Sequence, residues 1–183
     1  MEFRLTTPLT DLEIRALSAG DDVLLSGMIY TARDAAHKRM VELLQTGEKP
    51  PFPYEGQVVF YAGPSPAAPG RVVGAIGPTT GGRMDPYTPA LMASGLRCMI
   101  GKGVRGAAVV EAICRYGGVY FLAIGGAAAL LSRCVTDARL VAFPELGAEA
   151  VRALTVVELP LIVGIDTHGH DIYRKDLLLT EMY

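Results

Sequence analysis

The chain has little that points to a membrane, a nucleic acid or an oxidising compartment. Its longest apolar run, GVYFLAIGGAAALL (118–131), is broken by glycines and falls short of a membrane span. Its start, MEFRLTTPL, lacks the basic-then-apolar order of a signal peptide, so a cytoplasmic location is expected. Neither sign of charge is in surplus. The net charge of −2 leaves no dominant basic patch, which argues against nucleic acid as a partner. Cysteine is scarce: Cys98, Cys114 and Cys134 fit no C-x-x-C spacing, and an odd number argues against a disulfide framework. They read as reduced core residues, unable by themselves to build a cysteine-ligated metal centre.

What is present is a chain of 183 residues, 50% of them hydrophobic, enough for one domain spanning 1–183 with a sizeable core. EFRLTT reads as extended. A T-x-x-E capping box at Thr10 and Glu13 opens a short helix that Gly20 ends. Strands are expected at 22–30, 57–64, 72–77, 96–101, 118–126, 138–143 and 159–166. Helices are expected at 32–47, 86–95, 103–117 and 146–156, with Gly47 and Gly117 as stops. The tail DLLLTEMY has no clear reading. Strands and helices interleave without strict alternation, which indicates a mixed α/β fold with a largely buried sheet.

Three polar segments interrupt this pattern, each with a cation among small residues. The first is YTARDAAHKR (30–39), where Arg33 sits at a strand-to-helix junction and His37 lies one turn on. A solvated first turn, with Asp34 favouring the helix dipole, is the plainer reading. The second is IGPTTGGRMD (76–85). Its three glycines free the backbone, Thr79 and Thr80 supply hydroxyls, and Arg83 supplies a planar bidentate donor. Such a loop resembles an anion nest more than a surface turn. The third is GKGVRG (101–106), with Lys102 ahead of a helix N-terminus.

Two nucleotide motifs are only mimicked. GPTTGGRM puts Arg and Met where a phosphate loop needs Lys and a hydroxyl. GKGVRG satisfies G-x-G-x-x-G, but the next strand ends without the acidic residue a ribose requires. A non-catalytic anion- or nucleotide-binding module built on GKGVRG is therefore a rival, and a scaffold docking an acidic partner is another. Together the cations suggest a small anion with more than one carboxylate. THGHD (167–171) adds an H-x-H pair, His168 and His170. On a strand it would put both rings on one face and bind a metal if a third ligand joined; solvated turn histidines are the plainer reading. No metal-ligand set is assigned.

In order and spacing, YTARDAAHKR, IGPTTGGRMD and GKG resemble the β-type part of the iron–sulfur hydro-lyases, the family of class I fumarases and L(+)-tartrate dehydratases. The likeness runs from TPLT (7–10) to GIDTHGHDIY (164–173). It departs where a serine or alanine is expected before the second glycine of TTGGRMD. The resemblance implies a swivelling β/β/α domain, a central mixed sheet flanked by helices. It implies a partner too: an α subunit, or a longer N-terminal domain, holding a 4Fe-4S cluster on three cysteines. The cluster's unligated iron would act as a Lewis acid on the hydroxyl that leaves or arrives. Arg33 and Arg83 would hold the carboxylates of a small dicarboxylate substrate. Lys102 would stabilise negative charge beside the reacting carbon, and Thr79 would serve proton transfer. His37 would orient the substrate or Arg33. The implied activity is reversible hydration of fumarate to L-malate, with L(+)-tartrate dehydration as the alternative. Without its α subunit the chain is expected to be inactive and able to form a homodimer.

Overall fold

Three short apolar segments, Val58–Phe60 (β3), Cys98–Gly101 (β4) and Val119–Leu122 (β5), are buried at every position. Uninterrupted burial is the mark of parallel strands covered on both faces. The structure, a computed structural model describing residues 1–123 and 127–174, pairs them in the order β3–β4–β5, all parallel. Two long strands complete a ring. Asp22–Thr31 (β2) runs parallel to β3, and Val151–Ile165 (β7) runs antiparallel to both β5 and β2. The sheet thus closes on itself as β2–β3–β4–β5–β7–β2. Glu2–Thr6 (β1) lies beside the first half of β2, and Val135–Ala142 (β6) beside the first half of β7.

Closure depends on a bend in the two long strands. Their register slips between Leu25 and Gly27, where Gly27 has φ +100°. A Cβ there would stand 2.5 Å from Thr7 Oγ1, so the bulge admits only glycine.

Alternation along the strands sends side chains to two cores. Val58, Phe60, Cys98, Ile100, Val119 and Phe121 face the interior of the ring with Leu25, Ile29, Leu154 and Val163. Val59, Tyr61, Met99, Tyr120 and Leu122 face outward. They are covered by the helices Asp34–Gln45 (α2), Thr88–Ala93 (α3) and Ala107–Tyr116 (α4) through Met40, Leu91, Met92, Val109 and Ile113. The expected mixed sheet flanked by helices is what the structure shows. None of the described helices is long and apolar enough to cross a membrane.

The capping box at Thr10 forms: Glu13 N donates to Thr10 Oγ1 and Thr10 N to Glu13 Oε2. It opens Asp11–Arg15 (α1), which ends before Gly20. Gly117 caps α4 in the left-handed conformation.

Other expectations fail. The expected helix over 146–156 is instead a 3-10 segment, Pro144–Glu149, followed by the start of β7. Its Ala- and Leu-rich composition favours helix, but pairing to β2 on one edge and β6 on the other overrides that propensity. The expected strand at 72–77 does not form. Ser65 N donates to Ala75 O and Gly74 N to Ser65 O, so this segment folds back on its own loop. Two cysteines depart from the core reading: Cys98 is buried, Cys114 is exposed and Cys134 half-buried. A short helix, Ala128–Leu131 (α5), precedes β6. The end of the 118–126 strand and the tail fall outside the described residues.

Candidate active site

The glycine-rich loop is held at the end of the barrel by backbone bonds. Thr79 N donates to Tyr61 O at 2.6 Å, just past β3. Lys102 N donates to Thr79 O at 3.2 Å and Gly81 N to Lys102 O at 2.8 Å, just past β4. Thr80 and Lys102 form a parallel bridge. The two segments that carried the sequence argument thus continue the sheet beyond its C-terminal edge, where parallel α/β folds place their ligands. A Cβ on Gly81 would meet Tyr120 Oη at 2.5 Å and Arg105 Cδ at 2.7 Å, so glycine is required for this approach. Gly81–Met84 then forms a 3-10 turn that buries Met84 and leaves Arg83 about half exposed.

Arg33 occupies the N-cap position of α2 in extended conformation. Its Nε lies 3.2 Å from Glu149 Oε1, an ion pair without hydrogen-bond alignment. The next residue, Asp34, accepts from Arg83: Nε and Nη2 both donate to Oδ2, at 2.9 and 2.5 Å. Both arginines therefore rest against acids of their own chain, and Asp34 links the two segments. Lys102 is exposed.

His37 is completely buried. Its Nδ1 donates to Arg33 O at 2.8 Å, and its ring meets Tyr61 edge-on. Nε2 is consequently an acceptor, buried and without a partner among the described residues. Burial pushes its pKa down to about 4; the Arg105 cation adds to this, while the bond to the Arg33 carbonyl opposes it. A neutral, buried ring braces the backbone of Arg33 rather than offering a charge to a ligand.

The residue at the heart of the arrangement is one to which the sequence reading gave no role. Arg105, inside GKGVRG, has a fully buried side chain. Its Nε donates to Asp85 Oδ1 at 2.7 Å, Nη2 to Thr88 Oγ1 at 2.9 Å and Nη1 to Tyr61 Oη at 3.3 Å. The guanidinium also lies over the rings of Tyr61 and Tyr120, 5.3 and 4.7 Å from their centroids. Asp85 ends the glycine-rich loop, so Arg105 ties that loop to the start of α4. The available signal was the pairing of one acid closing GGRMD with one arginine between glycines.

Asp85 Oδ2 also accepts from Gly106 N at 2.6 Å. A carboxylate thus already occupies the N-terminus of α4, where the nucleotide reading would place a phosphate. The larger clefts lie elsewhere: about 830 Å³ beside Tyr54 and Arg97, and about 690 Å³ between Pro89 and the α4 residues Glu111 and Arg115. Neither is lined by Arg33, Thr79, Arg83 or Lys102; Arg83 and Lys102 are exposed, Arg33 and Thr79 half-buried. The cysteines do not suit an iron–sulfur cluster. Cys98 points into the barrel from β4, Cys114 sits on α4 and Cys134 follows α5, and among the described residues no three gather.

The match to a known family covers almost the whole chain. The sequence model described as "Fumarase C-terminus" fits residues 1–176. The chain belongs to that family. A Methanocaldococcus jannaschii protein named "Putative L(+)-tartrate dehydratase subunit beta" is 39% identical over 173 residues, covering 91% of this chain and 89% of the relative. Fumarate hydratase 2 of Leishmania major is 38% identical over 160 residues, and the anaerobic class I fumarate hydratase of Escherichia coli K12 is 37% identical over 153. In both, the aligned part is 28% of the relative's length, so the chain spans little more than a quarter of these hydratases. These relatives are named as fumarate hydratases and a tartrate dehydratase subunit.

Proposed function

We propose that this chain is the β-type half of a two-part hydro-lyase that interconverts fumarate and L-malate in the cytoplasm. An α subunit carries the 4Fe-4S cluster. The observation that carries this reading is the gathering of Thr79, Arg83 and Lys102 past β3 and β4, with Arg33 joined to them through Asp34. Arg33 and Arg83 hold the two carboxylates, exchanging part of their present acid contacts for the substrate. Lys102 offsets charge on the carboxylate beside the carbon that loses or gains a proton. Thr79 is the candidate for handling that proton, and its hydroxyl needs activation from outside this chain. His37 fixes the Arg33 backbone. An open cationic surface without a cysteine trio supports a site completed by the partner.

L(+)-tartrate dehydration is a second reading, favoured by the near full-length match to the M. jannaschii protein. Its substrate presents the same two carboxylates. Anaerobic reconstitution with the α subunit, assayed on fumarate, L-malate and L(+)-tartrate, tests both. Turnover by the pair and none by this chain alone is expected. Activity of this chain alone, or inertness of a cluster-loaded pair toward all three, overturns the proposal. A nucleotide-binding module would instead bind NAD in calorimetry.

A further inference from the structure

The turn after β7 gathers three metal-ligating side chains away from the cationic surface. β7 begins opposite Thr31, at the end of the barrel that carries Thr79 and Lys102. It ends at Ile165, opposite Tyr120 near the start of β5. The turn 166–171 therefore lies at the other pole. His168 and His170 are not on a strand, as the H-x-H reading required. They are exposed in this turn, and Asp166 joins them from beneath.

We propose that His168, His170 and Asp166 form a binding site for a divalent transition-metal ion of the zinc type. One donor atom from each of the three lies within 4.8 Å of the others. Ligands around tetrahedral zinc stand about 3.3 Å apart, so small rotations of the two exposed rings close the set. The anionic member is pre-organised. Asp166 is buried, its Oδ1 accepts from His168 N at 2.9 Å and His170 N at 3.1 Å, and its Oδ2 accepts from Ala19 N at 3.1 Å. One carboxylate thus places both histidine backbones. It also faces His170 Nδ1 at 2.9 Å, close enough to ligate beside that ring or to orient it. The two rings are roughly parallel, with centroids 5.8 Å apart. Gly169, between them, packs against Cys114 on α4: a Cβ there would lie 2.7 Å from the sulfur. This contact seats the turn on the helix. Two imidazoles and a carboxylate suit zinc, nickel or copper and disfavour magnesium or calcium.

The test uses tag-free protein titrated with Zn²⁺ against a chromophoric chelator, followed by thermal melts with and without the metal. One ion per chain and a higher melting temperature with metal are expected. His168→Ala and His170→Ala, both at exposed positions, should each weaken binding by at least ~10-fold, and the double variant should lose both binding and the thermal shift. Asp166→Asn should weaken binding about 10–100-fold; a metal-free melt shows whether its fold is intact. Cys114→Ser should bind as the parent does. The proposal is overturned if the double histidine variant binds as tightly as the parent, if only Cys114→Ser abolishes binding, or if the parent takes up no Zn²⁺ at ~1 mM.

Discussion

Asp34 holds the guanidinium of Arg83 through two donors, Nε at 2.9 Å and Nη2 at 2.5 Å, across 49 residues of chain. The same aspartate follows Arg33 in sequence. One carboxylate thus ties the Arg83 side chain to the segment that carries Arg33, whose own ion pair is with Glu149.

Replacing Arg83 by lysine keeps the charge and loses the fork. In the reconstituted enzyme, Arg83→Lys should lose about 2–4 kcal/mol of transition-state stabilisation in kcat/KM. The Arg83–Asp34 pair is partly exposed to solvent, so unfolding free energy should change by about 1 kcal/mol or less. Steady-state kinetics beside urea melts separate the two effects. Turnover within threefold of the parent would remove Arg83 from the binding role.

Arg105 should behave in the opposite way. Its removal leaves the Asp85 carboxylate without its charge partner and opens space between Tyr61 and Tyr120. Arg105→Ala should destabilise the chain by about 3–5 kcal/mol in urea unfolding of this chain alone. Arg105→Lys should recover only part of that, because a single ammonium cannot reach Asp85, Thr88 and Tyr61 together.

Acid should weaken the fold through His37. Its folded pKa is about 4 and its ordinary value 6.5, so between these the unfolded chain binds the extra proton. The stability associated with a neutral His37 is therefore complete above pH 6.5 and is lost progressively as pH falls toward 4. This gap amounts to about 3 kcal/mol. Unfolding free energies measured from pH 7 to pH 4.5 should fall less steeply for His37→Gln than for the parent. Parallel slopes would show that His37 is not held neutral.

The two central glycines of the loop should differ sharply. Gly81→Ala forces a methyl against Tyr120 Oη and Arg105 Cδ, both buried, and should destabilise by about 1–3 kcal/mol while displacing Thr79 and Lys102. Gly82→Ala meets nothing closer than Val104 O at 3.8 Å and should be near neutral. Melting temperatures and reconstituted turnover check both; equal behaviour would mean that the loop is not packed as described.

Local chemistry made part of this molecule legible in advance. Thr10 and Glu13 signal their capping box, Gly117 its helix stop, and the apolar runs 58–60, 98–101 and 119–122 their buried strands, because each signal depends on neighbours a few residues away. The segments bearing Arg33, Thr79, Arg83 and Lys102 stand out for a similar reason: a glycine-rich polar stretch in an apolar chain is conspicuous on its own.

The sequence by itself determined the mixed α/β class, the polar segments and their family resemblance. Only the tertiary structure decided that 151–156 is strand rather than helix, since two partner strands outweigh a weak helical preference. Tertiary structure alone turned Arg105 into a buried keystone and buried Asp166 against the backbone of Ala19. Burial and long-range charge pairing depend on which distant segments meet, and no local pattern of residues encodes that.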